Sequence, residues 1–302
     1  MSIKKLIANT FFDFAYAIAY RPVPDSKDCR FPKGGDTPFR LLKPTLGCWY
    51  ADPLLTELNG KDYLFMEVWD RKKKKGFIGV SEFDQNGLLS APKCILEEDF
   101  HLSFPVVFSY NGRYILMPEC SESGTLRFYT VDPANLSVSL LCKIPVSEKL
   151  VDTVVYEIKD EKITLLSCAE NPGNPKQTSL VMLELNGLPD GSLQRIPLPK
   201  QYESPSFFLR NGGPVYICEN KKIRILQEST ETEYGHNLLF RTVSGLGENY
   251  SEEELSSLYL ENLPVSLPAY YRKQGTHTYS MTSSFEVIDI SFNRFHFGNL
   301  FY

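Results

Sequence analysis

Short runs of apolar, β-branched and aromatic residues recur along the chain at an interval of about fifty residues, each broken by a tight polar turn. Four such segments align without gaps: ADPLLTELNGKDYLFME from Ala51, FPVVFSYNGRYILMPE from Phe104, VDTVVYEIKDEKITLLS from Val151 and SPSFFLRNGGPVYICE from Ser204. Pro53, Pro105, Thr153 and Pro205 share one column, at spacings of 52, 48 and 52 residues. Gly60, Gly112, Asp160 and Gly212 fall seven residues later, and Glu67, Glu119, Ser167 and Glu219 seven after that. Each segment reads as strand, turn, strand. Asn59-Gly60 and Asn111-Gly112 suit a hairpin turn whose two central residues both need positive φ. Phe77 to Phe83 and Leu126 to Val131 read as third strands.

Four strands per unit at this period is the pattern of a propeller blade. Thr276 to Ser291 supplies a fifth, shorter unit, and strand Ala15 to Tyr20 completes it and closes the ring, which removes exposed sheet edges. The expected fold is all-β: a single five-bladed β-propeller, with blades at about 46–100, 101–148, 149–200, 201–245 and 275–302 and strand 15–20 as the closure. Ser251 to Leu260, with its acidic first turn, reads as a short helical insertion between blades four and five.

Composition refines this picture in a few places. Aromatic residues make up 13% of the chain, which suits pleated sheets and also stacking on sugar rings. A net charge of −5 without a basic face argues against a nucleic-acid partner. The seven cysteines are odd in number, widely spaced and without a CxxC pair, so we expect reduced thiols in a cytoplasmic protein and no zinc site. The apolar stretch Leu6 to Tyr20 is interrupted by Asp13 and is too short to span a bilayer, so no transmembrane segment is expected. A turn or helix leading into strand 15–20 is preferred there over an interfacial helix at Ile3 to Phe14, which would make a weak membrane-surface contact.

The repeat column also selects chemistry. In a propeller the starts of the innermost strands ring a central channel, and the residues just before the column are Asp52, Phe104 and Asp152. Blade four offers Glu203, two residues before Pro205. Convergent carboxylates are costly unless they serve a site, and two of them flanking a glycosidic bond can act as general acid and general base.

This arrangement resembles the five-bladed family-43-type glycoside hydrolases. The resemblance implies Asp52 of Asp52-Pro53 as general base, Asp152 as modulator of the acid's pKa, and Glu203 of Glu203-Ser204-Pro205 as general acid of an inverting mechanism. Over nearly the whole chain, WYADPLL, EDFHLSFPVVF, YILMPE, LVDTVVYE, RILQESTETEYG and VIDIS are similar to the N-terminal propeller domain of glucosamine inositolphosphorylceramide transferases. That family commonly carries an Arg-Ala-Gly-like stretch on blade four, where the repeat alignment places Tyr202-Glu203-Ser204-Pro205. Glu119 and Glu228 are the alternatives to Glu203 as acid.

The same resemblance implies a carbohydrate or glycoconjugate substrate. Trp49, Glu67, His101, Phe104, Glu119, Arg224, Gln227, Glu228, Tyr234 and His277 are then candidate contacts, with Arg224 suited to an anionic group on the ligand. It implies no cofactor beyond a structural Ca2+ held through water near His277. Glycoside hydrolysis leads, sugar transfer in surface-glycan synthesis is the alternative, and a non-catalytic glycan-binding propeller is the third reading.

Overall fold

The computed structural model describes residues 12–23, 31–33, 35, 37–268 and 271–295. Five antiparallel sheets form five blades. Blade one comprises Cys48–Leu58, Lys61–Asp70, Lys75–Glu82 and Lys93–Leu96, from the channel outward. Blade two comprises Ser103–Tyr110, Arg113–Glu119, Thr125–Val131 and Val138–Pro145; blade three comprises Leu150–Lys159, Lys162–Asn171, Asn174–Leu185 and Leu193–Ile196. Blade four comprises Tyr216–Cys218, Lys221–Glu228, Asn237–Ser244 and Ser251–Leu258. In blade five Tyr271–Gly275 and Tyr279–Met281 both pair with Phe285–Phe295, which pairs with Phe12–Pro22 and then Arg40–Leu41.

The ring is therefore closed by an N-terminal strand, matched over its full length from Phe12 opposite Phe295 to Pro22 opposite Phe285. A buried ion pair fastens this joint: Arg21 donates to Glu286 at 2.6 Å, both side chains being fully excluded from solvent. The residues before Phe12, and with them most of the candidate interfacial stretch, lie outside the described residues.

The hairpin turns follow the predicted chemistry in blades one and two, where Asn59-Gly60 and Asn111-Gly112 have positive φ at both positions. Blade three turns at Asp160-Glu161, also with positive φ at both, one residue later than the gapless alignment because its inner strand carries an extra residue between Val155 and Glu157. Blade four departs from the gapless alignment. Its turn is Glu219-Asn220, with φ of 48° and 63°, seven residues after Gly212. Glu219 is thus a turn residue and not a counterpart of Glu67. Asn211-Gly212 lies beside blade five, where Tyr279 donates its N–H to the Gly212 carbonyl at 2.8 Å. A Cβ on Gly212 would come within 2.9 Å of the His277 carbonyl oxygen, so close inter-blade packing accounts for this glycine, not a turn.

Ser251–Leu258 is a strand, not the expected helix. The outer edge of Asn237–Ser244 needs hydrogen-bond partners, and this segment supplies them along its length. Its alternation turns Glu252 inward, where it accepts hydrogen bonds from Arg224 and Arg241. Cys48, Cys94, Cys120, Cys142 and Cys168 are free thiols as expected, whereas Cys218 is disulfide-bonded, against the expectation of seven reduced thiols. Among the described residues no helix is long and apolar enough to cross a membrane.

Candidate active site in the central channel

Each inner strand is interrupted where it meets the channel. Register shifts fall between Ala51 and Leu54, Ser103 and Val106, and Val151 and Val154. Asp52, Phe104 and Asp152 sit in these bulges with φ of 49°, 42° and 47°, a region that non-glycine residues rarely adopt. The break at Thr276 to Thr278, between the two inner strands of blade five, is the corresponding place there.

The bulges free backbone N–H groups, and acids of the neighbouring blade accept them. Asp52 N–H donates to Asp289 at 3.1 Å, Phe104 N–H to Asp52 at 3.2 Å and Asp152 N–H to Glu119 at 3.0 Å. Asn211 completes the circuit on blade four by donating to the Asp152 carbonyl at 2.7 Å. These contacts fix the acids around the channel, so part of their role is to join the blades.

Two cations balance the acids. Arg210 is ion-paired with Asp152, lies 3.9 Å from both Glu119 and Glu170, and packs its guanidinium over the Tyr234 ring at 4.9 Å. His277 is clamped between Asp289, 2.5 Å from Nδ1, and Asp52, 3.7 Å from Nε2. Burial works against the imidazolium, but Asp289 and Asp52 outweigh it and raise His277 to about 9. Asp52, His277 and Asp289 are the only three-residue cluster of metal-ligand type among the described residues. Their donor atoms are already engaged: Asp289 accepts the N–H groups of His277 and Thr278, and Asp52 accepts the Phe104 N–H and the Thr278 hydroxyl. This set suits a protonated histidine.

The stability of the fold should carry the signature of that clamp. His277 is raised from 6.5 to about 9, so its contribution is complete below pH 6.5 and is lost as pH rises through 9. Denaturant unfolding should show a loss on the order of 3 kcal/mol across this window, and His277→Gln should flatten it.

The acids differ in state. Burial pushes Asp52 up to about 6, against the pull of His277. Burial also lifts Asp152 to about 7, against Arg210. Glu67 is held well above the usual carboxyl range by burial and then by Asp52, Glu119 and Asp289. Glu119 is raised by burial, an effect that Arg210 and the Asp152 N–H partly offset.

An aromatic row borders these groups. Tyr16 stacks on His277 with centroids 4.6 Å apart and leans on Trp49 at 5.4 Å. Trp49 and Trp69 stack at 5.3 Å and 9°, and Trp69 meets His101 edge-on at 5.6 Å. Both tryptophans are half-buried. A cleft of about 180 Å³ opens beside the row, walled by Tyr16, Leu42, Cys48, Trp49 and Phe292.

The structure thus brings together Asp52, Glu67, Glu119, Asp152, Gln227, Tyr234 and His277, with His101 and Trp49 at the edge. Gln227 donates to Asp152 at 3.1 Å. Four expected site residues are engaged otherwise. Glu203 ends the helix Lys200–Glu203 on the outer side of blade three; its carboxylate accepts the Leu198 N–H at 3.2 Å and lies 3.8 Å from Arg195. Arg224 is fully buried and engaged with Glu252, Asn211 and the Leu209 carbonyl, so it is a strut of blade four and not an anion contact. Phe104 is fully buried in the apolar core and offers only its N–H. Glu228 is held by Asn237 at 2.6 Å. Arg210, Tyr16, Thr278 and Asp289 were not foreseen. Arg210-Asn211-Gly212 supplies the Arg-Ala-Gly-like stretch that the slipped register had hidden, and Asp289 lies within the motif VIDIS.

The sequence pattern of a family described as glucosamine inositolphosphorylceramide transferase 1, N-terminal, matches residues 45–270. The chain belongs to this family. Among curated relatives, glucosamine inositolphosphorylceramide transferase 1 of Arabidopsis thaliana is 28% identical over 249 residues, covering 81% of this chain and 31% of the plant protein. The chain therefore spans about a third of that relative. Among solved structures, an exo-β-1,3-galactanase of Phanerochaete chrysosporium with β-1,3-galactotriose superposes with a TM-score of 0.53 at 10% identity, covering 75% of this chain and 56% of that one. A β-1,2-mannobiose phosphorylase of Listeria innocua superposes with a TM-score of 0.50 at 12% identity, covering 82% and 92%. At these identities the likeness establishes the propeller fold. Homologues and structural neighbours alike come from carbohydrate-active families.

Proposed function

We propose that the channel acts on a glycosidic bond, with Asp52 as proton acceptor and Glu67 as proton donor. The observation that carries this reading is the unlike surroundings of two neighbouring buried carboxyls, Asp52 beside His277 and Glu67 among other acids. Asp52 faces His277 and is ionised above about pH 6, while burial and the surrounding acids keep Glu67 protonated. Environments that drive two carboxyls apart assign acid and base. Asp52 takes the proton of the incoming water or sugar hydroxyl as its oxygen bonds to the anomeric carbon. Glu67 gives its proton to the departing oxygen, which keeps the electron pair of the broken bond. Asp152, held by Arg210 and Gln227, is a positioning residue.

Both hydrolysis and transfer use this chemistry. The transferase relatives support transfer, and the galactanase and phosphorylase neighbours share only the fold. One observation favours a non-catalytic glycan-binding propeller instead: the channel position of blade four carries Arg210 in place of the acid expected there. Incubation with a panel of aryl glycosides and nucleotide sugars in 18O-labelled water, followed by mass spectrometry, separates the three. Hydrolysis places 18O in the released sugar, transfer forms a new unlabelled glycoside, and binding alone leaves every substrate intact.

The aromatic row should set affinity in any of these cases. Trp49→Ala is expected to weaken sugar binding about tenfold, the scale of one lost stacking contact. Titration calorimetry with the best ligand of the panel measures it.

A further inference from the structure

We propose that His101 is a positioning residue for Glu67, an imidazole of fixed tautomer whose Nε2–H faces the Glu67 carboxyl and steadies the charge left there when the proton departs. This rests on the assignment of Glu67 as proton donor. The tautomer follows from one hydrogen bond: the Gly76 N–H donates to His101 Nδ1 at 2.8 Å, so the proton of the neutral ring is on Nε2. Nε2 lies 3.8 Å from Glu67 Oε1, too long for a ground-state hydrogen bond to a neutral acid and able to close on a carboxylate.

The three groups are packed to hold this relation. A Cβ on Gly76 would come within 2.7 Å of His101 Cε1 and 2.8 Å of Glu67 Oε1. Only glycine at position 76 lets the ring approach the carboxyl across the strand Lys75–Glu82. The Trp69 edge contact holds the ring from a further side, and the His101 backbone N–H donates to Glu122 at 3.2 Å, which anchors the residue's main chain. Burial holds the ring below its usual pKa, against Asp52 and Glu122, so it stays neutral where the enzyme would work.

The charged groups that act on the pair come from each packed element. They are Asp52 on the inner strand of blade one, Glu119 and Glu122 of blade two, and Asp289 of blade five. All four are acidic. The nearest of them raise the cost of an ionised Glu67, and none can stabilise it. His101 offers the donor that the acids lack. Glu67 passes its proton to the leaving oxygen, and His101 keeps its own proton throughout.

The test compares His101→Leu, which removes the donor, with His101→Gln, which restores an N–H. The Glu67 titration, followed by NMR with 13C-labelled glutamate carboxyls, needs no substrate. His101→Leu should move that titration up by about one pH unit, and His101→Gln should return it to within a few tenths of a unit. With an active substrate, His101→Leu should lower kcat about tenfold at little change in KM, with rescue in His101→Gln. A Glu67 titration unchanged by His101→Leu overturns the inference even where turnover persists. A shifted titration in a protein that turns over nothing keeps the inference and removes the catalytic reading.

Discussion

Asp52→Asn should lose at least about a hundredfold in kcat, the scale of a missing general base, while the protein remains folded. Asparagine keeps the size of the side chain and an oxygen to accept the Phe104 N–H, so the joint between blades one and two survives. It cannot take a proton from water or a sugar hydroxyl. The effect on stability has a definite sign. Folding raises Asp52 from 3.8 to about 6, so its contribution is favourable below the lower value and is lost as pH rises through the upper one. At pH 8 the folded protein bears the cost of an ionised buried acid, and asparagine removes it. The unfolding midpoint of Asp52→Asn at pH 8 should therefore equal or exceed that of the parent. Turnover within threefold of the parent would remove Asp52 from the mechanism. A collapse of stability would mark it as a structural joint alone.

Arg210→Met should destabilise the fold by about 3–5 kcal/mol at pH 8, the usual cost of breaking a buried ion pair from one side. Arg210 answers Asp152 and Glu119 and is itself mostly buried, so its loss leaves these two acids without a counter-charge, while Glu170 keeps Lys149 at 2.6 Å. Protonation relieves them. Asp152 stands at about 7 even with Arg210 present, and without it the acid takes up its proton at higher pH still. The deficit should shrink on lowering the pH from 8 to 5. Denaturant unfolding at the two values measures both numbers. An equal deficit at both would mean that packing on Tyr234, and not charge, is what Arg210 contributes.

Most of the architecture was legible because the hairpin turns are chemically demanding. Asn-Gly at 59–60 and 111–112 announces two positive φ angles in succession, and the strands follow from the turns. Blade four hid its turn behind the same dipeptide. Asn211-Gly212 looks like a hairpin signal, yet it is a close inter-blade contact, and the real turn at Glu219-Asn220 has weaker chemistry. That slip of eight residues in the turn displaced the expected acid to Glu203 and concealed Arg210. The segment Ser251 to Leu258 failed for a different reason. Its local preference is helical, but the edge of blade four requires a partner strand, and tertiary pairing overrides propensity.

The site was legible where it follows the repeat and illegible where it depends on neighbours. Asp52 and Asp152 stand in the column and reach the channel. Glu67 and Glu119 stand in the second column and also reach it. What no column reveals is which of them is ionised. That is decided by His277, Asp289 and Arg210, which come from other blades and meet the acids only in the folded ring. Arg224 illustrates the converse, since its motif suggests an anion contact and its burial against Glu252 makes it structural.

The central claim is that Asp52 and Glu67 hold opposite protonation states in one channel. It is tested most directly by NMR titration of 13C-labelled aspartate and glutamate carboxyls, assigned through Asp52→Asn and Glu67→Gln. The account predicts an Asp52 carboxyl that titrates near 6 and a Glu67 carboxyl still protonated at pH 7. Ordinary titration of both near pH 4 would contradict it.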